Sequence, residues 1–320
     1  MTIFTPLPEA EIPSRVIDQG NGGALDRARR RTYLPMLLPA LILYLLLYVA
    51  PAAAGMIVSL STWSGLGAKF TWVGIQNYVD LFTDRVFLSA FGNTLALTLI
   101  VGVAIFVIVS TSMIVLRSTK GRAFIRSAVF LPSIISPIAI GVAVAFLFNP
   151  NGLVNGALGM FKLDALQRPW LGPDYILSVI VVGVIWSSAG FYVVLLMSAV
   201  DSIPESLFEA ARIEGASLFQ QFRHITLPLT RDMFSTAAVL WVIAGIKTFE
   251  IILAVTGKAG TPPIQARTLA IEQYLLVTTG ADGGIPQLGS ATAIGVVMTA
   301  ITVILILLSR RIARRDSLEL

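Results

Sequence analysis

The sequence predicts an all-α integral membrane protein organised around six membrane-spanning helices. Three observations carry that expectation. Of the 320 residues, 56% are hydrophobic and 13% charged, with a mean hydropathy of +0.82, whereas soluble domains average about 25% charged residues. Six stretches supply the roughly 20 apolar residues that a helix needs to cross a hydrocarbon core about 30 Å thick. The basic residues sort the connecting loops onto two sides.

Residues 1–32 contain Pro6, Pro8, Pro13, Gly20, Gly22 and Gly23 and read as a disordered cytoplasmic tail. They do not read as a cleavable signal, because the apolar run after Arg31 is too long and begins too late. The membrane domain takes residues 33–311, with spans expected at Leu34–Leu60, Ala90–Leu116, Ser127–Phe148, Tyr175–Val200, Met233–Thr256 and Ile285–Ser309. Residues 312–320 form a cytoplasmic C-terminal tail. Pro35, Pro39, Pro51, Pro132 and Pro137 lie in or beside spans, where a multi-helix bundle tolerates bends. Residues 73–82 and 267–276 are half-apolar and are expected to form interfacial helices lying at the membrane surface.

Orientation follows from charge. Arg15, Arg27, Arg29, Arg30 and Arg31 of the tail, Arg117, Lys120, Arg122 and Arg126 of the second loop, Arg212, Arg223 and Arg231 of the fourth, and Arg310, Arg311, Arg314 and Arg315 share one side. The other side holds Lys69, Arg85, Lys162, Arg168, Lys258 and Arg267. Both termini are therefore expected in the cytoplasm of a multi-pass protein of the cell membrane. The net charge of +5 is scattered between apolar spans and forms no groove for nucleic acid. Cysteine is absent and histidine occurs once, at His224, so thiolate and His-rich metal sites lack material.

Within this apolar chain the fourth loop, residues 201–229, is polar and sharply punctuated. Ser202 and Glu205 have capping-box spacing, with Pro204 suited to a first helical turn, so a short helix is expected from Pro204 to Ile213. Leu207, Ala210 and Ala211 share one of its faces. Gly215 can take the left-handed geometry that ends a helix. Ser217 and Gln220 repeat the capping signal ahead of a stripe of Leu218, Phe219, Phe222 and Ile225, and Pro228 is expected to separate this second helix from the fifth span. The result is a helix-turn-helix knob outside the membrane, with small residues at its centre.

The order Glu209-Ala210-Ala211, Gly215, Ile225-x-Leu227-Pro228 resembles the EAA motif of the membrane subunits of binding-protein-dependent ABC importers. Further segments are similar to the maltose-type sugar permeases among them: WVGIQNYVDLF at 72, FLPSIISPIAIGVAVAFLF at 130, NPNGLVN at 149, DSIPESLFEAA at 201 and TFEIILAVTGKAG at 248. Most relatives carry a Gly-Gly-Pro turn where this chain has Gly257-Lys258-Ala259-Gly260. The resemblance implies a type I permease bundle whose cytoplasmic coupling helix, with Glu209, Ala210, Ala211, Gly215, Ile225, Leu227 and Pro228, docks onto an ATPase. It also implies a heterodimer with a second permease, two ATPase subunits that bind ATP and Mg, and an extracytoplasmic solute-binding protein.

No catalytic site is expected in this chain. A phosphate-binding P-loop needs GxxxxGK[ST], and the only Gly-Lys pair, Gly257-Lys258, is followed by Ala259. By the resemblance, the solute path maps onto Val184, Ser187, Ser188 and Phe191 of the fourth span and onto Trp241, Ala244, Gly245 and Thr248 of the fifth. Hydroxyls and aromatic faces suit a mono- or oligosaccharide, while Val184, Ala244 and Gly245 replace polar positions, so the paired permease supplies contacts or this subunit shapes the path. A polyol or glycerol phosphate stays open because of Lys247. Lys247 and Glu250 are the clearly intramembrane charges; at i, i+3 they can pair, and an ion-coupled secondary transporter is the alternative they suggest.

Overall fold

The computed structural model describes residues 36–65, 67–117, 119–257, 262–278 and 284–315. The expected tail 1–32 lies outside the described residues, as do Lys258, Ala259 and Gly260, and residues 316–320 of the second tail. Two compact units divide the chain after Gly55. In the first, residues 36–55 belong to α1, Met36–Val58, whose large apolar side chains stand exposed, as lipid rather than water would solvate them. Within α1 a π-turn, Leu45–Val49, lets the Ala50 N–H reach back to the Leu45 carbonyl. It sits directly before Pro51, whose ring would otherwise press on the carbonyl four residues earlier.

The second unit continues with α2 (Gln76–Thr83), α3 (Arg85–Leu116), α4 (Arg122–Phe130), α5 (Pro137–Leu147), α6 (Leu153–Met160) and α7 (Ile176–Asp201). Beyond these lie α8 (Glu205–Ile213), α9 (Leu218–Gln221), α10 (Leu227–Ile246), α11 (Glu250–Thr256), α12 (Leu269–Thr278) and α13 (Leu288–Arg315). Among the described residues five helices are long and apolar enough to cross a membrane, and up to six spans result with a bent pair counted as one. Asp84 caps α3, its carboxylate accepting from the Val86 N–H at 2.9 Å. Along α3, Leu97, Val101, Ile105, Val109 and Met113 recur every fourth residue and are buried against Ile180, Val193, Leu196 and Met197 of α7. Leu99, Ile100, Val103 and Val107 on its other faces stay exposed. The long span thus packs along one stripe and offers the rest to lipid.

Four expectations need correction. The third span is not one helix over Ser127–Phe148: α4 continues into a tight turn, Leu131–Ile134, and α5 leaves it at 93°. Pro137 at the first turn of α5 cannot continue the preceding helix and starts a new one. The fifth span is likewise interrupted at Lys247, Thr248 and Phe249, between α10 and α11. Pro228 does not separate the knob from that span: a π-turn, Phe222–Thr226, joins α9 to α10, with the Leu227 N–H reaching the Phe222 carbonyl just before the proline, as before Pro51. Finally, α12 does not lie on a surface, since Leu269, Ile271, Leu275 and Leu276 are buried in the core.

The bend is seated on α7. The Phe191 N–H donates to the Ser133 hydroxyl at 3.1 Å. Beside it, a Cβ on Gly190 would overlap the Val129 carbonyl oxygen, so only glycine permits this approach. Gly190→Ala is therefore expected to destabilise the domain by roughly 1–3 kcal/mol through overpacking. A thermal-unfolding midpoint in detergent equal to that of the unmodified protein would contradict this seating.

Candidate functional site

The polar loop between α7 and α10 folds into the expected knob. In α8, Phe208 is the buried side chain, while Leu207, Glu209 and Ala210 are exposed. The first cap differs from expectation. Pro204 is itself the N-cap with an extended ψ of 131°, and Ser202 turns back to donate to the Ala199 carbonyl at 2.7 Å, ending α7 instead of starting α8. Gly215 adopts φ +79°, the left-handed turn, and nothing approaches within 4 Å of where its Cβ would be. Ser217 and Gln220 close a full capping box at the start of α9. The knob presents Ile213, Leu218 and Phe219 outward, at 87%, 49% and 60% exposure, and a shallow concavity lined by Ala211, Glu214, Gly215, Ala216, Gln220 and Ile225. Glu209 has no partner among the described residues.

Sequence reasoning missed what holds the knob. Arg117, at the end of α3, lies 3.0 Å above the ring of Phe208 and donates to Glu205 at 2.9 Å and to Gln221 at 3.3 Å. Glu205 also takes Arg212 at 3.0 Å. Arg126 and Arg122 of α4 both pair with Asp201 at the end of α7. The hydrogen bond from Arg117 holds the Glu205 carboxyl below the usual carboxylate range. A lowered carboxyl pKa stabilises fully above the unfolded value of about 4.3 and fades as pH falls through the folded one, so this contact is intact at neutral pH. The signal available in sequence was only the recurrence of arginines in the second loop.

Farther along α7 and α10, a cavity of about 260 Å³ is lined by Val184, Ser187, Ser188, Ala244 and Thr248, together with Pro137, Lys247, Phe249, Glu250 and Ile251. It sits where both interrupted spans break: α5 begins at Pro137 and α11 at Glu250. The two half-helices pack closely, because Gly141 leaves room for Ala254 and the Ile251 carbonyl. Lys247 and Glu250 both face this cavity but form no ion pair with each other. The helix ends at Lys247, so the i, i+3 geometry is lost.

Three residues of the mapped path stand apart from the cavity lining. Trp241 is only 4% exposed and donates its indole N–H to the Thr98 carbonyl at 2.8 Å, with Tyr192 edge-on at 6.1 Å. Gly245 and Gly102 let α10 and α3 approach: a Cβ on Gly245 would press on Thr98, and one on Gly102 would collide with the Trp241 ring. Phe191 is edge-on to Tyr192 at 5.1 Å on the neighbouring face of α7.

Residues 108–316 match the family described as binding-protein-dependent transport system inner membrane component. The chain belongs to that family. It is 31% identical to the diacetylchitobiose uptake system permease protein NgcF of Streptomyces coelicolor, over 93% of this chain and 88% of that one. It is 34% identical to the probable ABC transporter permease protein YurN of Bacillus subtilis, over 86% and 93% respectively. Its fold is similar to that of a chain in the bacterial alginate ABC transporter in complex with alginate pentasaccharide-bound periplasmic protein, at a TM-score of 0.77, covering 92% of this chain and 98% of that one at 24% identity.

As a binding-protein-dependent inner membrane component, the chain is a multi-pass, non-enzymatic membrane subunit with a permease fold. The family region covers the knob and the cavity and begins within α3. The buried indole and the cavity hydroxyls then make separable predictions. Trp241→Phe removes the indole donor while the Thr98 carbonyl keeps its partner within α3, and is expected to cost about 0.5–1.5 kcal/mol, read as a lower unfolding midpoint. Ser188→Leu fills the cavity and is expected to leave that midpoint nearly unchanged while reducing solute uptake. Equal midpoints for Trp241→Phe and the unmodified protein would refute the packing role.

Proposed function

We propose that this chain is one permease subunit of an ATP-driven ABC importer that passes a sugar, a mono- or oligosaccharide, from an external solute-binding protein into the cytoplasm. In this reading the knob of Glu209, Ala210, Ala211, Gly215, Ile225, Leu227 and Pro228 docks onto an ATPase subunit. Two such subunits bind ATP and Mg, and a second, related permease completes a heterodimer. The observation that carries it is the knob itself: Glu209, Ala210 and Ala211 lie on α8 with Glu209 unengaged, Gly215 makes the left-handed turn before the capped α9, and Ile225, Leu227 and Pro228 follow in the π-turn and the first turn of α10. The similarity to a diacetylchitobiose uptake permease and to a chain of an alginate transporter supports carbohydrate as the solute class.

Both termini then face the cytoplasm, residues 1–32 and 312–320 being tails of the domain 33–311. The charge asymmetry supports this side assignment. The solute path follows Val184, Ser187, Ser188, Ala244 and Thr248 along the cavity, with Phe191, Trp241 and Gly245 shaping its wall from behind. Import of a polyol or glycerol phosphate is the second reading, supported by Lys247, a cation on the cavity with no ion pair to Glu250. The ion-coupled alternative is not retained, because the family is binding-protein-dependent.

Because nothing in the chain lies near a Cβ at position 215, Gly215→Asp meets only the strain of its positive φ, about 1 kcal/mol. It is expected to abolish transport and receptor-stimulated ATP hydrolysis while the permease still folds and assembles in the membrane. Wild-type transport by Gly215→Asp would refute docking. A thermal-shift screen of the cognate binding protein against sugars, glycerol phosphate and amino acids is expected to yield a carbohydrate; a receptor that takes no carbohydrate would overturn the solute class. For orientation, Ser217→Cys in this cysteine-free chain is expected to resist membrane-impermeant thiol reagents in intact cells, and labelling there would invert the topology.

A further inference from the structure

The guanidinium of Arg117 joins three parts of the molecule that are distant in sequence. It caps the C-terminal end of α3, one residue past Leu116, is only 14% exposed, and touches α8 twice, through Glu205 and the ring of Phe208, and α9 once, through Gln221. Gln221 is itself buried and donates back to the Ala216 carbonyl at 2.9 Å, so the same contact also fixes the turn between the two knob helices. An ammonium has three donors but no plane to lay on the Phe208 ring. Only the planar fork of arginine can lie on a ring while its edge serves a carboxylate and an amide.

Farther along, α3 is gripped by α10. The Thr98 carbonyl receives the Trp241 indole, and Gly102 accommodates its ring. Between Thr98 and Arg117 runs uninterrupted helix, about 28 Å at 1.5 Å per residue, with one buried stripe against α7. A helix packed in this way has no break to bend at between the two contacts, so displacement at one end is carried toward the other.

We propose that Arg117 is the positioning residue that makes the knob and α3 move as one body, so that displacement of the knob by the ATPase reaches the cavity wall through Trp241. The inference rests on the reading of the knob as the ATPase-docking element. Arg117 itself contacts neither ATPase nor solute.

The absence of native cysteine allows a direct test on the assembled transporter. Spin labels are placed at Ser206→Cys on the exposed side of α8 and Thr111→Cys on the exposed face of α3, and their separation is measured by pulsed electron resonance without nucleotide and with ATP. With Arg117 in place, one distance distribution is expected in both states. Arg117→Met is expected to shift or broaden it by about 3 Å or more on adding ATP. Arg117→Lys, which keeps the charge opposite Glu205, is expected to lie between and serves if the Met variant does not assemble. A nucleotide-dependent distance in the unmodified protein, or an unchanged one in both variants, overturns the proposal. If no ATPase subunit co-purifies with the unmodified chain, the docking reading fails instead, and the co-purification step distinguishes that result.

Discussion

Within a hydrocarbon core a backbone carbonyl or N–H without a partner is far more costly than in water, and the departures from straight helix in this chain are placed where another group answers them. The Phe191 N–H meets the Ser133 hydroxyl at the bend of the third span. At the break after α10 the freed Thr248 carbonyl receives the Thr268 hydroxyl at 3.2 Å. Asn93 serves two carbonyls of the returning loop, those of Ile264 and Arg267, while the Thr94 hydroxyl accepts the Leu269 N–H that begins α12. The two prolines inside long helices, Pro51 and Pro228, each follow a π-turn whose last N–H reaches five residues back. Cavity and bends are thus parts of one solution: the broken spans can line a pocket because their loose ends are tied elsewhere.

Outside the membrane the same chain uses different forces. The knob has few large buried side chains, and water is available to its backbone ends. Exposed ion pairs in such surroundings contribute little singly, about 0–1 kcal/mol. What distinguishes this cluster is its layering: Phe208 is buried beneath Arg117, which is mostly withdrawn from solvent, and Glu205 closes over the guanidinium from the water side. Desolvation of the arginine strengthens the contact to the ring. Asp201 repeats the arrangement at the foot of α7, where two arginines of α4 converge on one carboxylate.

These two regimes also explain what could be read from sequence. Span number and approximate position follow from hydropathy, which is a sum over about 20 residues and tolerates local error. The knob was legible because caps and a left-handed glycine are local signals: Gly215 and the Ser217–Gln220 box needed no tertiary partner. Ser202 misled for the same reason, since its spacing to Glu205 was right but the α7 backbone offered the Ala199 carbonyl first. The 93° bend, the break at Lys247 and the burial of α12 depend on which groups wait across space, namely Phe191, Thr268 and Thr94. Trp241 illustrates the limit most plainly. An indole suits a sugar face and a helix interface equally well, and only the Thr98 carbonyl 143 positions away decides its contact.

The connectivity gives the knob two unequal attachments to the cavity. On one side α9 runs through the π-turn into α10 without a break, so the knob is continuous with the helix carrying Trp241, Gly245 and Ala244. On the other side α7 ends at Asp201, and Ser202, Ile203 and Pro204 form a turn with an extended ψ before α8 begins. Such a turn transmits direction poorly by itself. The paired Arg122 and Arg126 hold Asp201 on α4 instead, fastening the foot of α7 to the bent span whose far leg, α5, starts at the cavity. One wall of the cavity, from α10, is therefore continuous with the knob, and the other, from α7, is anchored beside it. On the proposed docking of the knob to an ATPase, a pocket between a helix continuous with the knob and an anchored one would change shape as the knob is displaced, which is the mechanical requirement for releasing a solute held between them.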